Sequence, residues 1–354
     1  EHSSATFCEG FAASGGRVTN FTSGQGLILM KEVLYTISGK RLPIVFNIGS
    51  RALTSQGLNV HCGHDDVMGV ADCGWGILFA RNAQEAGDLC LISRRAAEAS
   101  HTPFLNVQDG FLTTHTVETV LLLEPDFMKD FVGKPEDKLH NLMDPDNPLM
   151  SGVVQNQDSY MKGKMAQRWY YDQVEGHLQE AFEEFYRKTG RRYDFVDAYR
   201  CEDAEYILVG IGSYMETAQI TIDYLRDELD IKAGCLNIYC FRPFPARQLV
   251  EALSNCKAFT VIERMDDPLS TTGNHVTREI KAAFCDAQNG QNGMPAVDSI
   301  PRIYHGAAGL GSRDVRPGDI NAIFTNMIED GQDFFCVGIK HALSLTLKDD
   351  PDLR

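Results

Sequence analysis

The sequence predicts an α/β protein made of two successive units, each a parallel sheet with helices on both faces. Three observations carry that prediction. Short runs that are apolar almost throughout, such as Gly76–Ala80 (GILFA) and Tyr206–Ile211 (YILVGI), recur along the chain. Strands buried on both faces read this way. Helix-length amphipathic stretches separate them, as crossovers between parallel strands require. The pattern stops near residue 125 and resumes near Ala204, with a polar, proline-punctuated stretch between.

In the first unit, Arg17–Thr22 (RVTNFT) reads as a short strand. Gln25–Ser38 reads as one helix stopped at Gly39. Pro43–Ile48 (PIVFNI) and Gly76–Ala80 are buried strands, Ala83–Ser100 is a long amphipathic helix, and Pro103–Val107 is a further strand. From 125 to 200, Pro125, Pro135, Pro145 and Pro148 break up a polar region in which Lys134–Lys138 reads as an exposed loop. A helical pattern then runs from about Asp158 to Lys188. Its Trp169, Tyr170, Tyr171, Phe182, Phe185 and Tyr186 read as packing residues, so this region is a connecting arm that docks on one domain.

The second unit repeats the alternation. Tyr206–Ile211, Cys235–Phe241 and Ala258–Ile262 are strands, and Met215–Leu229, Pro245–Leu253 and Asn274–Phe284 are helices. Pro245 sits near a helix start, where its missing N–H costs little. Arg302–Tyr304, a glycine-rich stretch to Gly311 and a helix from about Asp319 to Ile328 follow. Phe334–Ile339 (FFCVGI) reads as a lone last strand, the start of a third module or a linker.

A length of 354 residues suits two or three domains. With 33 Lys+Arg against 49 Asp+Glu, the net charge is −16. A backbone contact to nucleic acid needs a basic surface, so that partner is excluded. No apolar run approaches the ~20 residues that span a membrane. None of the ten cysteines forms a C-x-x-C pair, which argues against a locally bound iron–sulfur cluster or zinc ribbon. Reduced thiols in a cytoplasmic protein are expected.

Several motifs fail. Gly210-Ile211-Gly212 follows a strand, but Met215 stands where G-x-G-x-x-G needs its third glycine. There is no P-loop, no H-E-x-x-H and no G-x-S-x-G. His305–Gly311 reads as a turn. His61, Cys62, His64, Asp65 and Asp66 are dense enough to suggest a metal, but their spacing fits no common zinc pattern, and a loop with a capping Asp explains them. No metal ligand is assigned on this chain.

Three stretches change the reading: Phe21-Thr22-Ser23-Gly24-Gln25-Gly26-Leu27, then Ser50-Arg51-Ala52 through Gly63-His64-Asp65-Asp66, then Phe104–His115 (FLNVQDGFLTTH). In this order and spacing they resemble the first domain of pyruvate:ferredoxin (flavodoxin) oxidoreductases, within the 2-oxoacid:acceptor oxidoreductase family. Gly212–Thr217 and Phe241-Arg242-Pro243-Phe244 resemble the family's second domain, itself similar to the transketolase C-terminal domain. The resemblance covers almost the whole chain and points to its alpha-type region.

The resemblance implies a thiamine diphosphate-binding fold followed by a transketolase C-terminal-like α/β domain. The expected divisions are 1–125, an N-terminally truncated pyrimidine-binding domain; 126–200, the arm; 201–330, the second domain; and 331–354, the start of a third module or a linker. Glu1 falls on the family's glutamate, which hydrogen-bonds N1′ of the aminopyrimidine and favours its imino tautomer. A catalytic and cofactor-binding role for Glu1 competes with that of an exposed chain terminus. Thr22, Ser23 and Gln25 would approach the same ring. Arg51 falls on the substrate arginine, at the carboxyl end of a parallel strand, where open α/β sheets bind ligands. Its guanidinium can hold a 2-oxoacid carboxylate with two parallel hydrogen bonds; an ordinary surface ion pair is the alternative. Leu58 and Val60 match positions around the substrate's alkyl end, with core packing as the alternative. His64 and Asp66 read as loop-shaping residues. Asp109 and His115 match a D-G-F-x-T-x-H stretch in which Leu112 stands in place of a usual arginine, which leaves the particular 2-oxoacid open.

The function so implied is oxidative decarboxylation of pyruvate or a related 2-oxoacid to acyl-coenzyme A, with electrons passed to ferredoxin or flavodoxin. A threonine-bearing Y-P-I-T-P-S segment, a G-D-G motif with its Mg²⁺-binding Asn, and the cluster cysteines are not in this sequence. Mg²⁺ and [4Fe-4S] clusters are therefore expected on other domains or subunits, in a complex expected to be a homo-oligomer, a dimer. The alternatives are a non-catalytic assembly subunit of such a complex, or another thiamine enzyme of the transketolase or 2-oxoacid dehydrogenase type.

Overall fold

A computed structural model of the chain describes residues 1–339 and 346–347. Its strands are Thr19–Thr22 (β1), Val45–Ser50 (β2), Gly76–Ala80 (β3), Phe104–Asp109 (β4), Val196–Tyr199 (β5), Tyr206–Gly210 (β6), Ala233–Ile238 (β7), Cys240–Arg242 (β8), Ala258–Glu263 (β9), Arg302–Ala307 (β10) and Phe334–Cys336 (β11). They form two sheets, ordered β1-β2-β4-β3-β8 and β11-β10-β9-β6-β7-β5. Pairing is parallel except for β3 with β8 and β5 with β7. Every residue of β3, β7 and β9 is buried, as expected of strands covered on both faces.

Helix Ala83–Ser100 starts at Asn82, whose side-chain oxygen accepts the Glu85 N–H at 2.9 Å. It packs on β3 and β4 and carries helix Val174–Thr189 on its outer side. Val174, Leu178, Ala181, Phe182 and Phe185 of that outer helix are buried.

The differences from the sequence reading have local causes. The helix expected over Gln25–Ser38 is two, Gln25–Leu29 and Lys31–Gly39. They break at Met30, whose N–H is shared between the Gly26 and Leu27 carbonyls at 3.2 Å each. The pattern over Asp158–Lys188 resolves into Gln157–Ala166, Arg168–Tyr171 and Val174–Thr189. Only the last has buried residues, so the aromatics divide: Phe182 and Phe185 pack, while Trp169 is 66% exposed and Tyr186 49%. Helix His2–Ala13, whose capping residue is Glu1, carries no apolar periodicity strong enough to have been read; it buries Ala5, Cys8, Ala12 and Ala13.

The run Cys235–Phe241, read as one strand, is split at Tyr239 because the chain passes from one sheet to the other. Tyr239 N–H donates to the Phe195 carbonyl at 3.0 Å, and its carbonyl accepts the Phe79 N–H at 2.7 Å. Its hydroxyl donates to Glu85 Oε1 at 2.7 Å inside a network with Arg81. So β8, from the second unit, closes an edge of the first sheet, and β5, from the arm, closes an edge of the second. Nor does Phe334–Cys336 stand alone: it pairs with β10 as an edge strand of the second sheet. Unpaired edge N–H and C=O groups seek partners, and sequence spacing does not show which edge will supply them. Of the expected third module or linker, residues 340–345 and 348–354 lie outside the described residues.

Candidate active site

The first sheet's β1, β2 and β4 end side by side, and three chain turns leave from those ends. β1 runs into Ser23-Gly24 and then helix Gln25–Leu29. Gly24 has φ +57° and ψ −131°, a conformation that excludes most side chains. The turn lies beside Arg51: a Cβ built on Gly24 would sit 3.5 Å from Arg51 Cβ, ordinary van der Waals contact, so it is the backbone conformation that calls for glycine.

Asp66 joins the first two turns. Its Oδ2 accepts the Gly24 N–H at 2.7 Å and the Arg51 N–H at 3.0 Å, and Oδ1 accepts the Val67 N–H at 2.8 Å. The carboxyl is fully buried. Burial pushes its pKa up to about 7, against the pull of these three backbone donors.

Glu1 and Thr22 meet at Gly26. A Cβ on Gly26 would lie 2.7 Å from Glu1 Cγ, 2.8 Å from Thr22 Oγ1 and 3.1 Å from Glu1 Oε1, so glycine there makes the room these side chains occupy. Glu1 is exposed. The Ser23 carbonyl accepts the Gly26 N–H at 3.1 Å, and Gln25 Nε2 donates to Thr54 Oγ1 at 2.8 Å, which ties the first turn to the segment after Arg51.

Arg51 follows β2. Its guanidinium carbon lies 5.1 Å from the Phe111 ring centre, and its Nε is buried with no hydrogen-bond partner among the described residues. A buried cationic donor without an acceptor is costly, and a ligand carboxylate would relieve it. Among the described residues no carboxylate lies within ion-pair distance of that guanidinium. Leu58 and Val60 are 76% and 43% exposed, so they are not core residues. They sit on a loop closed where the Ala52 N–H meets the His61 carbonyl at 3.0 Å.

The sequence reading did not single out Phe111. It has φ +63°, and its ring stacks on His115 at 4.2 Å and lies 4.5 Å from His61. Its place after Asp109-Gly110 was the available signal. Arg264 was also passed over. It directly follows β9, separated by Glu263 from the apolar run Ala258–Ile262, and a charge at the end of a buried strand was the clue.

Asp109, at the end of β4, is fully buried and faces the second unit. Its Oδ1 lies 2.8 Å from His64 Nε2. Its Oδ2 accepts the Ser213 N–H at 2.9 Å and the Ser213 hydroxyl at 2.7 Å, and lies 3.4 Å from Arg264 Nε. Burial opposes the charged form, but the Arg264 charge, His64 and Ser213 hold the carboxyl well below the usual carboxylate range. Cys62, His64 and Asp109 come close enough for a metal to be considered. A cation there would face Arg264, and burial pushes the Cys62 thiol well up. The donor set suits an internal ion pair that joins the two units.

Residues 1–183 match the family model described as pyruvate flavodoxin/ferredoxin oxidoreductase, thiamine diphosphate-binding, and residues 204–320 match pyruvate:ferredoxin oxidoreductase core domain II. The chain is 35% identical to pyruvate synthase subunit PorA of Thermotoga maritima, over 94% of this chain and 83% of that subunit. It is 31% identical to a probable pyruvate-flavodoxin oxidoreductase of Escherichia coli, over 90% of this chain but 27% of that longer protein. Among solved structures, 2-oxoglutarate:ferredoxin oxidoreductase from Magnetococcus marinus shares the fold, with a TM-score of 0.61 at 15% identity, over 92% of this chain and 56% of that one. The chain belongs to the pyruvate:ferredoxin/flavodoxin oxidoreductase family, and it carries that family's thiamine diphosphate-binding region and core domain II.

Proposed function

We propose that this chain supplies the aminopyrimidine half of a thiamine diphosphate site, and the substrate arginine, of a 2-oxoacid oxidoreductase acting on pyruvate or a close relative. The observation that carries this reading is the Asp66 bridge, which holds the Gly24 turn and Arg51 on one buried oxygen at the carboxyl end of the first sheet. The residues present fit the cofactor and substrate: Gly26 leaves space occupied by the Glu1 and Thr22 side chains, and Arg51 keeps a buried donor free.

When bound, thiamine diphosphate supplies the electron sink for loss of carbon dioxide from a 2-oxoacid. In this reading Glu1 holds its carboxyl toward the aminopyrimidine, and Thr22, Ser23 and Gln25 shape the ring's seat. Arg51 binds the 2-oxoacid carboxylate with its fork of donors. Leu58 and Val60 present apolar surface to the substrate's alkyl end. The diphosphate, Mg²⁺ and iron–sulfur modules belong to other domains or subunits of a dimeric complex. Coenzyme A accepts the acyl group, and ferredoxin or flavodoxin accepts the electrons. Ten free thiols suit a reducing, cytoplasmic setting. Among the described residues no helix is long and apolar enough to cross a membrane.

The test is turnover by the assembled complex. With pyruvate, coenzyme A, thiamine diphosphate and Mg²⁺, it should reduce viologen and form acetyl-coenzyme A in equal measure with electron pairs. Cofactor-independent behaviour, or no reduction with any 2-oxoacid, would contradict the reading.

A further inference from the structure

We propose that Ser312, in the second unit, is a positioning residue for substrate selection in the first: it staples the neck of the loop that carries Leu58 and Val60 and begins beside Arg51. The proposal deepens the functional reading above and rests on it.

The loop is closed by Ala52 and His61. Cys62, the next residue, is gripped from both sides: its N–H donates to Ser312 Oγ at 2.8 Å, and its carbonyl accepts the Ser312 N–H at 3.1 Å. The same hydroxyl points to the Gly110 carbonyl at 3.5 Å, on the turn that carries Phe111. Phe111 in turn lies under the Arg51 guanidinium and against His61. One serine therefore touches both the neck of the substrate loop and the turn beneath the substrate arginine.

The backbone at this point is unusual. Gly309, Gly311 and Ser312 have φ of +71°, +64° and +60°. A serine in that region carries strain that its surroundings must hold. Gly311 is also packed so closely on the Asn59 side-chain amide that a Cβ would clash. General adhesion between the two units is already supplied elsewhere, by Asp109 with Ser213 and Arg264. The Ser312 contacts end instead on the loop neck and the Phe111 turn.

Ser312→Ala removes the hydroxyl without changing the backbone preference, and Ser312→Gly removes both the hydroxyl and the strain. In the assembled complex, both variants should speed amide exchange over 52–62 and leave exchange over 19–27 unchanged. Both should raise the KM for pyruvate about fivefold, the scale of one lost hydrogen bond, and narrow the preference for pyruvate over 2-oxobutyrate. The kcat should change less than KM, and the thiamine diphosphate Kd should stay as it is. A role limited to adhesion would lower Tm and leave KM and preference at wild-type values, which would overturn the proposal. Wild-type behaviour of Ser312→Gly alone would overturn the assignment to the hydroxyl. A wild-type complex that turns over no 2-oxoacid removes the functional reading, and the proposal with it; normal wild-type turnover with unchanged variants removes the proposal alone.

Discussion

Asp66 and Arg51 are joined side chain to backbone: Asp66 Oδ2 accepts the Arg51 N–H at 3.0 Å, and the same oxygen takes the Gly24 N–H at 2.7 Å. Two turns from different strands thus share one buried acceptor. Asp66→Ala leaves these two donors and the Val67 N–H unpaired, and each costs about 1–3 kcal/mol. The expected result is a lower urea midpoint together with weaker binding of both thiamine diphosphate and 2-oxoacid in the assembled complex. Loss of stability with normal affinity for both would show that the bridge does not position the site.

The pH dependence of this bridge has a definite sign. Burial lifts the Asp66 carboxyl to about 7, against about 3.9 for a free aspartate. Between those values the folded chain holds a proton that the unfolded chain has released, so stability falls as pH rises across that window. Asp66→Asn cannot ionise. Its stability relative to wild type should therefore be more favourable at pH 8 than at pH 5, as read from urea unfolding at both. An unchanged difference would mean that Asp66 ionises normally in the fold.

Asp109 behaves in the opposite sense. Its pKa is held below the usual range, so its contribution is full above about pH 4 and fades as pH falls through the depressed value. Asp109→Asn leaves Arg264, 1% exposed, buried without its counter-charge. Breaking a buried pair from one side costs about 3–5 kcal/mol. The double variant Asp109→Asn with Arg264→Met should recover part of that loss, and urea unfolding of the full cycle measures the coupling. Additive losses would mean that the two charges do not stabilise each other.

Gly26→Ala separates the cofactor seat from stability. Alanine is the better helix former by about 1 kcal/mol, but its Cβ would lie 2.7 Å from Glu1 Cγ. Thr22 Oγ1 would lie 2.8 Å from the same Cβ; Glu1 is exposed and Thr22 half-buried, and both present side-chain tips that can move aside. The expected variant keeps its Tm and loses about tenfold in thiamine diphosphate affinity, measured by titration of the assembled complex. Unchanged affinity would remove Glu1 and Thr22 from the seat.

The layered alternation was legible because strands such as Gly76–Ala80 are apolar on both faces and the crossovers have helical period. Arg51 stood out because it falls on the position of the family's substrate arginine, and its place after a buried strand agrees with that; Arg264, with the same strand-end signal and no such correspondence, did not. What escaped were relations between distant stretches. Nothing near Cys240 shows that it will leave its own sheet to pair with Leu78, and nothing near Ser312 shows that it will grip Cys62. Phe111 and Arg264 looked like ordinary strand-end residues until the two units were seen face to face. The exposure of Leu58 could not be read from its apolar character, since a loop residue and a core residue have the same side chain.

The central claim is that Arg51 binds the 2-oxoacid carboxylate, and Arg51→Ala in the assembled complex tests it most directly. Loss of a charge-assisted contact of this kind is worth about 2–5 kcal/mol, so kcat/KM for pyruvate should fall about 30-fold or more. Thiamine diphosphate affinity should hold, and Arg51→Lys should recover only part of the loss because it lacks the planar fork. A pyruvate kcat/KM within twofold of wild type would contradict the account.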